Sequence, residues 1–321
     1  MVRQGNLRIF SGNANPMLGR QIAEHLDIPL GKMHLTRFAD GEIRAMVEES
    51  ARGMDVFLIQ PTCAPVNDNL MELLILVDAF RRASAQRITL VIPYYGYSRQ
   101  DKKIKPREPV TARLVADMIT VAGASRVLAV DLHANQIQGF FQMPLDHLYA
   151  GPLIADYFRR IGCCDGGHVV VSPDTGGVGR ARAMAEMLGA GLAIIAKRRP
   201  EPNKVEVMEI IGDVRGKTCL IVDDMIDTAG STVSGACALL ERGARDIYAA
   251  ATHPVLSGMA IKRINDSPIK QVVTTDTIPL PEDIKQRTDK LHIVSVAPLL
   301  ADAIERIHND SSVSSLFDRY W

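Results

Sequence analysis

The chain has no excess of either charge: its 321 residues carry 37 Lys and Arg against 37 Asp and Glu. That balance excludes the global basic field that binds nucleic acid non-specifically, so any contact with a nucleotide must be local and no nucleic-acid partner is expected. Cysteines are few and unmatched. Cys63, Cys163, Cys164, Cys219 and Cys237 are odd in number and none forms a C-x-x-C pair, which argues against a disulfide framework and against a zinc site. They read as reduced thiols, as expected of a cytoplasmic protein. No run approaches the ~18 apolar residues of a membrane span, and the first residues have no signal-like apolar core, so no membrane partner is expected. Also missing are G-x-x-x-x-G-K-[ST] and a G-x-G-x-x-G following a strand. A nucleotide site, if present, does not use a P-loop.

What the chain does have is apolar residues at 47% and charged residues at 23%, enough for two ordinary cores rather than one very large one. Strand-like runs at 7–10, 56–60, 88–93, 127–130, 169–171, 192–196, 219–222 and 247–250 alternate with helical patterns at 70–83, 111–122, 178–188 and 298–307. Such alternation is the mark of α/β units. No low-complexity linker divides them. Two segments share an order of parts: IPYYGYSRQDKK leads to VLAVDLHANQ, and IIAKRRPEPNK leads to CLIVDDMIDTAGST. Each has a strand, an arginine-bearing loop and a strand ending Val-Asp. This echo suggests duplicated domains meeting near Asp146–Gly151, here 1–149 and 150–321; separately, the last residues are expected to pack back on the first domain.

The stretch VDDMIDTAGST, 222–232, mixes two kinds of site. Asp223, Asp224 and Asp227 crowd against the small, hydroxyl-rich turn Thr228-Ala229-Gly230-Ser231-Thr232. The apolar run before it reads as a buried parallel strand that stops at the aspartates. Beyond it, Val233, Ala236, Cys237 and Leu240 recur at helical spacing, and Gly243 is a stop signal. Amides at a helix start suit a phosphate, while carboxylates accept hydrogen bonds from a vicinal diol. A sugar phosphate fits both ends.

Three other places carry chemistry. His133 follows the strand ending at Asp131, which puts an imidazole at a strand's carboxyl edge, in reach of a metal or a phosphate. Asp174 ends another strand before a glycine-rich turn; it either meets a hard cation or caps its own helix. The basic loops SRQDKK, 98–103, and KRRP, 197–200, leave strand ends and offer the point charges and forks that a transferring phosphoryl group needs.

Together FSGNAN, RFADGE, IQPT, IPYYGYSRQDKK, DLHANQIQGFF, SPDTGGVGRA, KRRP, IIGDV, VDDMIDTAGST and ATHPVLSG resemble the ribose-phosphate pyrophosphokinases, the phosphoribosyl diphosphate (PRPP) synthetases, of the bacterial class I type. The resemblance runs through nearly the whole chain. It implies two phosphoribosyltransferase-like α/β domains, each a mainly parallel sheet flanked by helices, the first on the ATP side and the second on the ribose 5-phosphate side. It implies transfer of a diphosphoryl group from Mg-ATP to ribose 5-phosphate, releasing AMP. By the same resemblance Thr228, Ala229, Gly230 and Ser231, with Asp227, hold the 5-phosphate, and Asp223 and Asp224 bind the 2- and 3-hydroxyls. Phe38 stacks on adenine, with Asp40, Gly41, Glu42, Arg99 and Gln100 in the ATP site. His133 and Asp174 are the magnesium-linked positions. Lys197 and Arg199 stabilise charge on the moving group, Arg199 also meeting the sugar phosphate. Ala229 stands where bacterial members usually carry glycine. The resemblance further implies a homohexamer with phosphate and ADP as regulators, and by position Ser50, Arg52, Arg82, Ser312 and Ser314 as the residues they meet.

Overall fold

Strands that are apolar on both faces need cover on both, and here parallel sheets sit between helices as that demands. The computed structural model describes residues 6–162, 167–198 and 207–316, leaving aside the side chains at 197, 198, 207 and 285. It divides into two units. The first takes the chain up to Tyr149 with Thr277–Pro279 and the segment from Val296; the second takes Ala150–Asp276 and Leu280–Ser295.

In the first unit the elements run β1 (Leu7–Ser11), α1 (Pro16–His25), β2 (Met33–Arg37), β3 (Ile43–Val47), β4 (Asp55–Ile59), α2 (Val66–Arg82), β5 (Arg87–Ile92), α3 (Thr111–Ala122), β6 (Arg126–Val130) and β7 (Leu145–Leu148). The sheet order is β1-β4-β5-β6-β7, all parallel. Phe10, Val56, Leu58, Leu90 and Ile92 pack beneath Leu73, Val77 and Phe80 of α2 and Val115 and Ile119 of α3. Each such side chain contributes about 1.5–3 kcal/mol on burial. Strands β2 and β3 form a separate antiparallel hairpin, which the sequence reading had not marked as strands. Its alternation is only half-buried against exposed, a weak signal over five residues, although Asp40-Gly41 is a turn pair.

The second unit continues with α4 (Gly151–Arg160), β8 (His168–Ser172), α5 (Val178–Leu188), β9 (Gly191–Arg198), β10 (Val207–Ile211), β11 (Thr218–Ile226), α6 (Gly230–Glu241), β12 (Asp246–Pro254), α7 (Ala260–Asn265), β13 (Gln271–Thr275), α8 (Ile284–Arg287) and β14 (Leu291–Val294). Its order is β10-β9-β8-β11-β12-β13-β14, with β10 antiparallel at one edge. Side-chain direction alternates along each strand. Val169, Val171, Cys219, Ile221 and Ala249 pack with Leu239 and Ile264, whereas Val170, Leu220, Val222 and Ala250 pack with Ile154, Phe158 and Met184.

The last helix, α9 (Ala297–His308), counts with the first unit. It packs on α1, and its end is tied to the amino ends of β4 and β5. His308 Nδ1 lies 2.7 Å from the buried Asp55 Oδ2, and Arg87 donates from Nε to Asp55 Oδ1 (3.2 Å) and from Nη1 to Asp310 (3.1 Å).

Candidate active site

In the second unit β8 sends the chain to β9 on one side, while the next strand placed beside it on the other side is β11. The connections therefore leave in opposite directions between β8 and β11. In an open parallel sheet this switch point, at the carboxyl ends of the strands, is where ligands settle. Here those ends carry Asp174 and the 223–231 segment.

Strand β11 does not stop at the aspartates, where its apolar run ends. It continues through Asp223, Asp224 and Met225 to Ile226, because β12 keeps pairing with it: Asp223 faces Ala251 and Ile226 faces Pro254. The backbone ladder outweighs the poor fit of acids to a strand. The two carboxylates differ in burial yet stay close enough to interact directly. Asp224 keeps 5% of its side-chain exposure and Asp223 28%, and Arg180 of α5 places Nη1 3.7 Å from a carboxylate oxygen of each. Burial and the neighbouring Asp224 charge push the Asp223 carboxyl up to about 7, with Arg180 pulling the other way. The acid pair therefore holds a proton more firmly than an ordinary carboxyl, in a form that can donate as well as accept.

Past Ile226 the chain turns into α6. No side chain caps the helix start, and Ala229 precedes it in left-handed conformation, φ +59°. Glycine would adopt that conformation freely; alanine meets it at a cost of about 1–2 kcal/mol. The first amides of α6 and the positive end of its dipole make an anion-binding end. Thr228 and Ser231 are exposed there, and Asp227 accepts from the Ser257 hydroxyl.

Asp174 is exposed at the end of β8, and its Oδ1 accepts from the Gly177 amide at 2.8 Å. That bond orders the turn into α5, whose cap residue is Gly177 with no side-chain cap bond, so Asp174 braces the turn and does not itself cap the helix. An exposed carboxylate is the oxygen donor that magnesium prefers, and the ion usually keeps water and substrate oxygens for the rest of its shell. Among the described residues no three His, Cys, Asp or Glu side chains converge on one point. The chain offers no closed cage there, and the chemistry of Asp174 fits an ion that arrives with phosphates.

In the first unit the hairpin tip holds Phe38, Asp40, Gly41 and Glu42. Phe38 N–H donates to Glu42 O (2.8 Å), Gly41 N–H to Phe38 O (2.9 Å) and Glu42 N–H to Asp40 Oδ1 (3.1 Å). Gly41 sits at φ +97°, which only glycine takes without strain. Phe38 is 51% exposed, so it is no core residue, and Arg44 lies over its ring 5.8 Å from the centroid. Arg37 braces the tip by bonding Gly41 O (3.2 Å) and Asp68 (3.0 Å). On the first basic loop, Arg99 and Gln100 are exposed beside buried Ser98 and Asp101, and the Ala112 amide donates to Gln100 O at 3.2 Å. His133 is exposed after β6, and the neighbouring Leu132 amide donates to Nε2 of buried His147 at 2.8 Å.

Known proteins resemble the chain along nearly its whole length. Residues 7–123 match the N-terminal domain of ribose phosphate pyrophosphokinase, and residues 198–318 match the phosphoribosyl synthetase-associated domain. The ribose-phosphate pyrophosphokinase of Caldanaerobacter subterraneus subsp. tengcongensis is 60% identical over 318 residues, 99% of this chain and all of its own length. The chain belongs to the ribose-phosphate pyrophosphokinase family. The ribose-phosphate pyrophosphokinase of Clostridium tetani is 57% identical over 314 residues, 98% of both chains. The crystal structure of phosphoribosylpyrophosphate synthetase from Mycobacterium smegmatis aligns over 95% of this chain and all of that one, with 45% identity and a TM-score of 0.90.

Some of the motifs shared with ribose-phosphate pyrophosphokinases turn out to brace the scaffold. In FSGNAN, the Asn13 amide and side chain donate to Glu72 at 2.7 and 2.9 Å, and Gln60 donates to the same buried carboxylate at 3.0 Å. In IQPT, Thr62 Oγ1 accepts from the Gly96 amide at 2.6 Å. The Lys197 backbone lies in β9; its side chain and Arg199 fall outside the described residues. Arg180 was missed by reasoning from sequence. A cation three residues into a helix opposes the helix dipole, and that misfit with no acid beside it in sequence was the available signal.

Proposed function

We propose that the chain transfers the diphosphoryl group of Mg-ATP to the C1 hydroxyl of ribose 5-phosphate, giving PRPP and AMP. The observation that carries this reading is the pairing, at one switch point, of two carboxylates on β11 with an uncapped helix start. Asp223 and Asp224 accept from the 2- and 3-hydroxyls; Asp227, Thr228, Ala229, Gly230 and Ser231 cradle the 5-phosphate. Phe38 is the adenine platform, and Asp40, Gly41, Glu42, Arg99 and Gln100 bind the rest of ATP. Asp174 and His133 are the magnesium-linked positions, each in its own unit, and a magnesium ion would supply charge neutralisation of the phosphates. Lys197 and Arg199 stabilise charge on the group as it moves, Arg199 also binding ribose 5-phosphate.

The resemblance alone supports assembly as a homohexamer, regulation by phosphate and ADP, and residence in the cytoplasm. No helix among the described residues is long and apolar enough to cross a membrane. Of the regulatory candidates, Arg82 is paired with Asp78, and Ser312 is drawn to Arg306 through its carbonyl at 3.1 Å. The test is AMP release from ATP and ribose 5-phosphate. Formation of AMP with both substrates present supports the reading; a chain that instead consumes PRPP in the presence of a purine or pyrimidine base contradicts it.

A further inference from the structure

Three consecutive carbonyls lead into the phosphate turn, and all three are bonded by one other segment of the chain. Leu256 N–H donates to Ile226 O at 2.9 Å and Ser257 N–H to Asp227 O at 3.0 Å. The third, Thr228 O, accepts from Arg263 Nη1 at 2.7 Å. The first two bonds come from backbone and do not depend on side-chain identity. The third is a charge-assisted bond made by a side chain, and it alone can be lost by substitution.

Its position matters because of what the peptide plane does. Carbonyl and following amide are rigidly opposed across a trans peptide, so holding Thr228 O in one direction aims the Ala229 N–H in the other. Ala229 is left-handed, φ +59°, and successive amides in such a turn form a concavity for an anion. A carbonyl rotated into it would repel phosphate. Arg263 also lies against the turn itself: a Cβ built on Gly230 would stand 3.9 Å from Arg263 Nη1. The short helix α7 that carries Arg263 is fixed at its carboxyl end, just beyond Arg263, by Lys290, whose Nζ donates to Ile264 O (3.2 Å), Asn265 O (3.0 Å) and Ser267 O (2.8 Å).

We infer that Arg263 is a positioning residue for the 5-phosphate of the sugar substrate: it holds the Thr228 carbonyl outward so that the turn presents amides. This rests on the assignment of the 227–231 turn to that phosphate, and the test separates the two. Ribose 5-phosphate and ATP are titrated calorimetrically into the full chain as wild type, Arg263→Met, Arg263→Lys and Thr228→Val. Arg263 is exposed, so its variants are expected to fold. Arg263→Met weakens ribose 5-phosphate by roughly 10-fold or more, Arg263→Lys recovers part of that, and ATP affinity stays within about twofold. If Arg263→Met binds the sugar phosphate normally while Thr228→Val does not, the turn is the phosphate site and the role of Arg263 is refuted. If neither variant moves sugar-phosphate binding, the assignment of the turn falls and the inference with it. Equal loss of both ligands, with lowered thermal stability, marks a general structural role and also overturns it.

Discussion

The ligand groups of the two units are mounted differently. In the second unit the sheet order reverses between β8 and β11, and the acids ride on the strand end itself, clamped by Arg180. In the first unit β1-β4-β5-β6-β7 runs without such a reversal, and the aromatic candidate sits on the tip of a hairpin outside the main sheet. Under the proposed assignment the difference follows the chemistry of the ligands. A diol must be met by acceptors at fixed positions, and a strand end fixes them; a stacked base needs only a flat, exposed face, which tolerates a tip held by a few local bonds. The two acids on β11 are accordingly more buried than Phe38, and burial with the neighbouring Asp224 charge raises the Asp223 carboxyl.

Lys197→Ala would sharpen that comparison by removing chemistry from a site whose binding halves remain. If Lys197 stabilises charge on the moving group, turnover falls by roughly two to four orders of magnitude while ribose 5-phosphate affinity changes little. Steady-state kinetics with a parallel binding titration checks this, and turnover within a few-fold of wild type refutes the role. Phe38→Ala acts on the other unit. It should weaken ATP by about 1–3 kcal/mol, as loss of one stacking platform does, and leave sugar-phosphate binding intact. Because Phe38 is half exposed, melting temperature should hardly move; a clear drop in stability without selective loss of ATP binding would break the assignment.

A smaller effect distinguishes the units by pH. The Asp223 carboxyl is raised to about 7 in the folded chain, above its ordinary value near 3.9. Between those values the folded state holds the proton more tightly than the unfolded state, so this acid's contribution to stability falls as pH rises from about 4 to about 7. Diol binding runs the opposite way, since the ionised acid is the better acceptor. Ribose 5-phosphate affinity should rise several-fold as pH passes upward through about 7, and Arg180→Ala should move that midpoint to higher pH. A flat profile, or a midpoint shifted downward in the variant, would contradict the account.

The parts legible in the sequence were those with a strong local signature. Doubly apolar runs gave eight strands close to their observed places, and 111–122 and 178–188 match α3 and α5 residue for residue. The hairpin β2–β3, the edge strand β10 and strands β13 and β14 escaped because their patterns are short or half-buried. The acids and turn of 222–232 were readable because both halves of the proposed ligand site lie within eleven residues. Arg180 and Arg263 were not, since each reaches its partner across the fold from a separate helix. No spacing rule joins residue 263 to residue 228; only the sheet does.

The central claim is the division of VDDMIDTAGST into a diol end and a phosphate end, and it is tested most directly by titrating ribose 5-phosphate and 2-deoxyribose 5-phosphate into Asp223→Asn and Thr228→Val. The claim includes contact of Asp223 with the 2-hydroxyl. Asp223→Asn removes charge and acceptor capacity, so it should weaken the ribose compound more than the deoxy compound. Thr228→Val should weaken both equally, by about 1–3 kcal/mol for a lost hydrogen bond to a charged group. Equal losses for Asp223→Asn, or a sugar-dependent loss for Thr228→Val, would contradict the division.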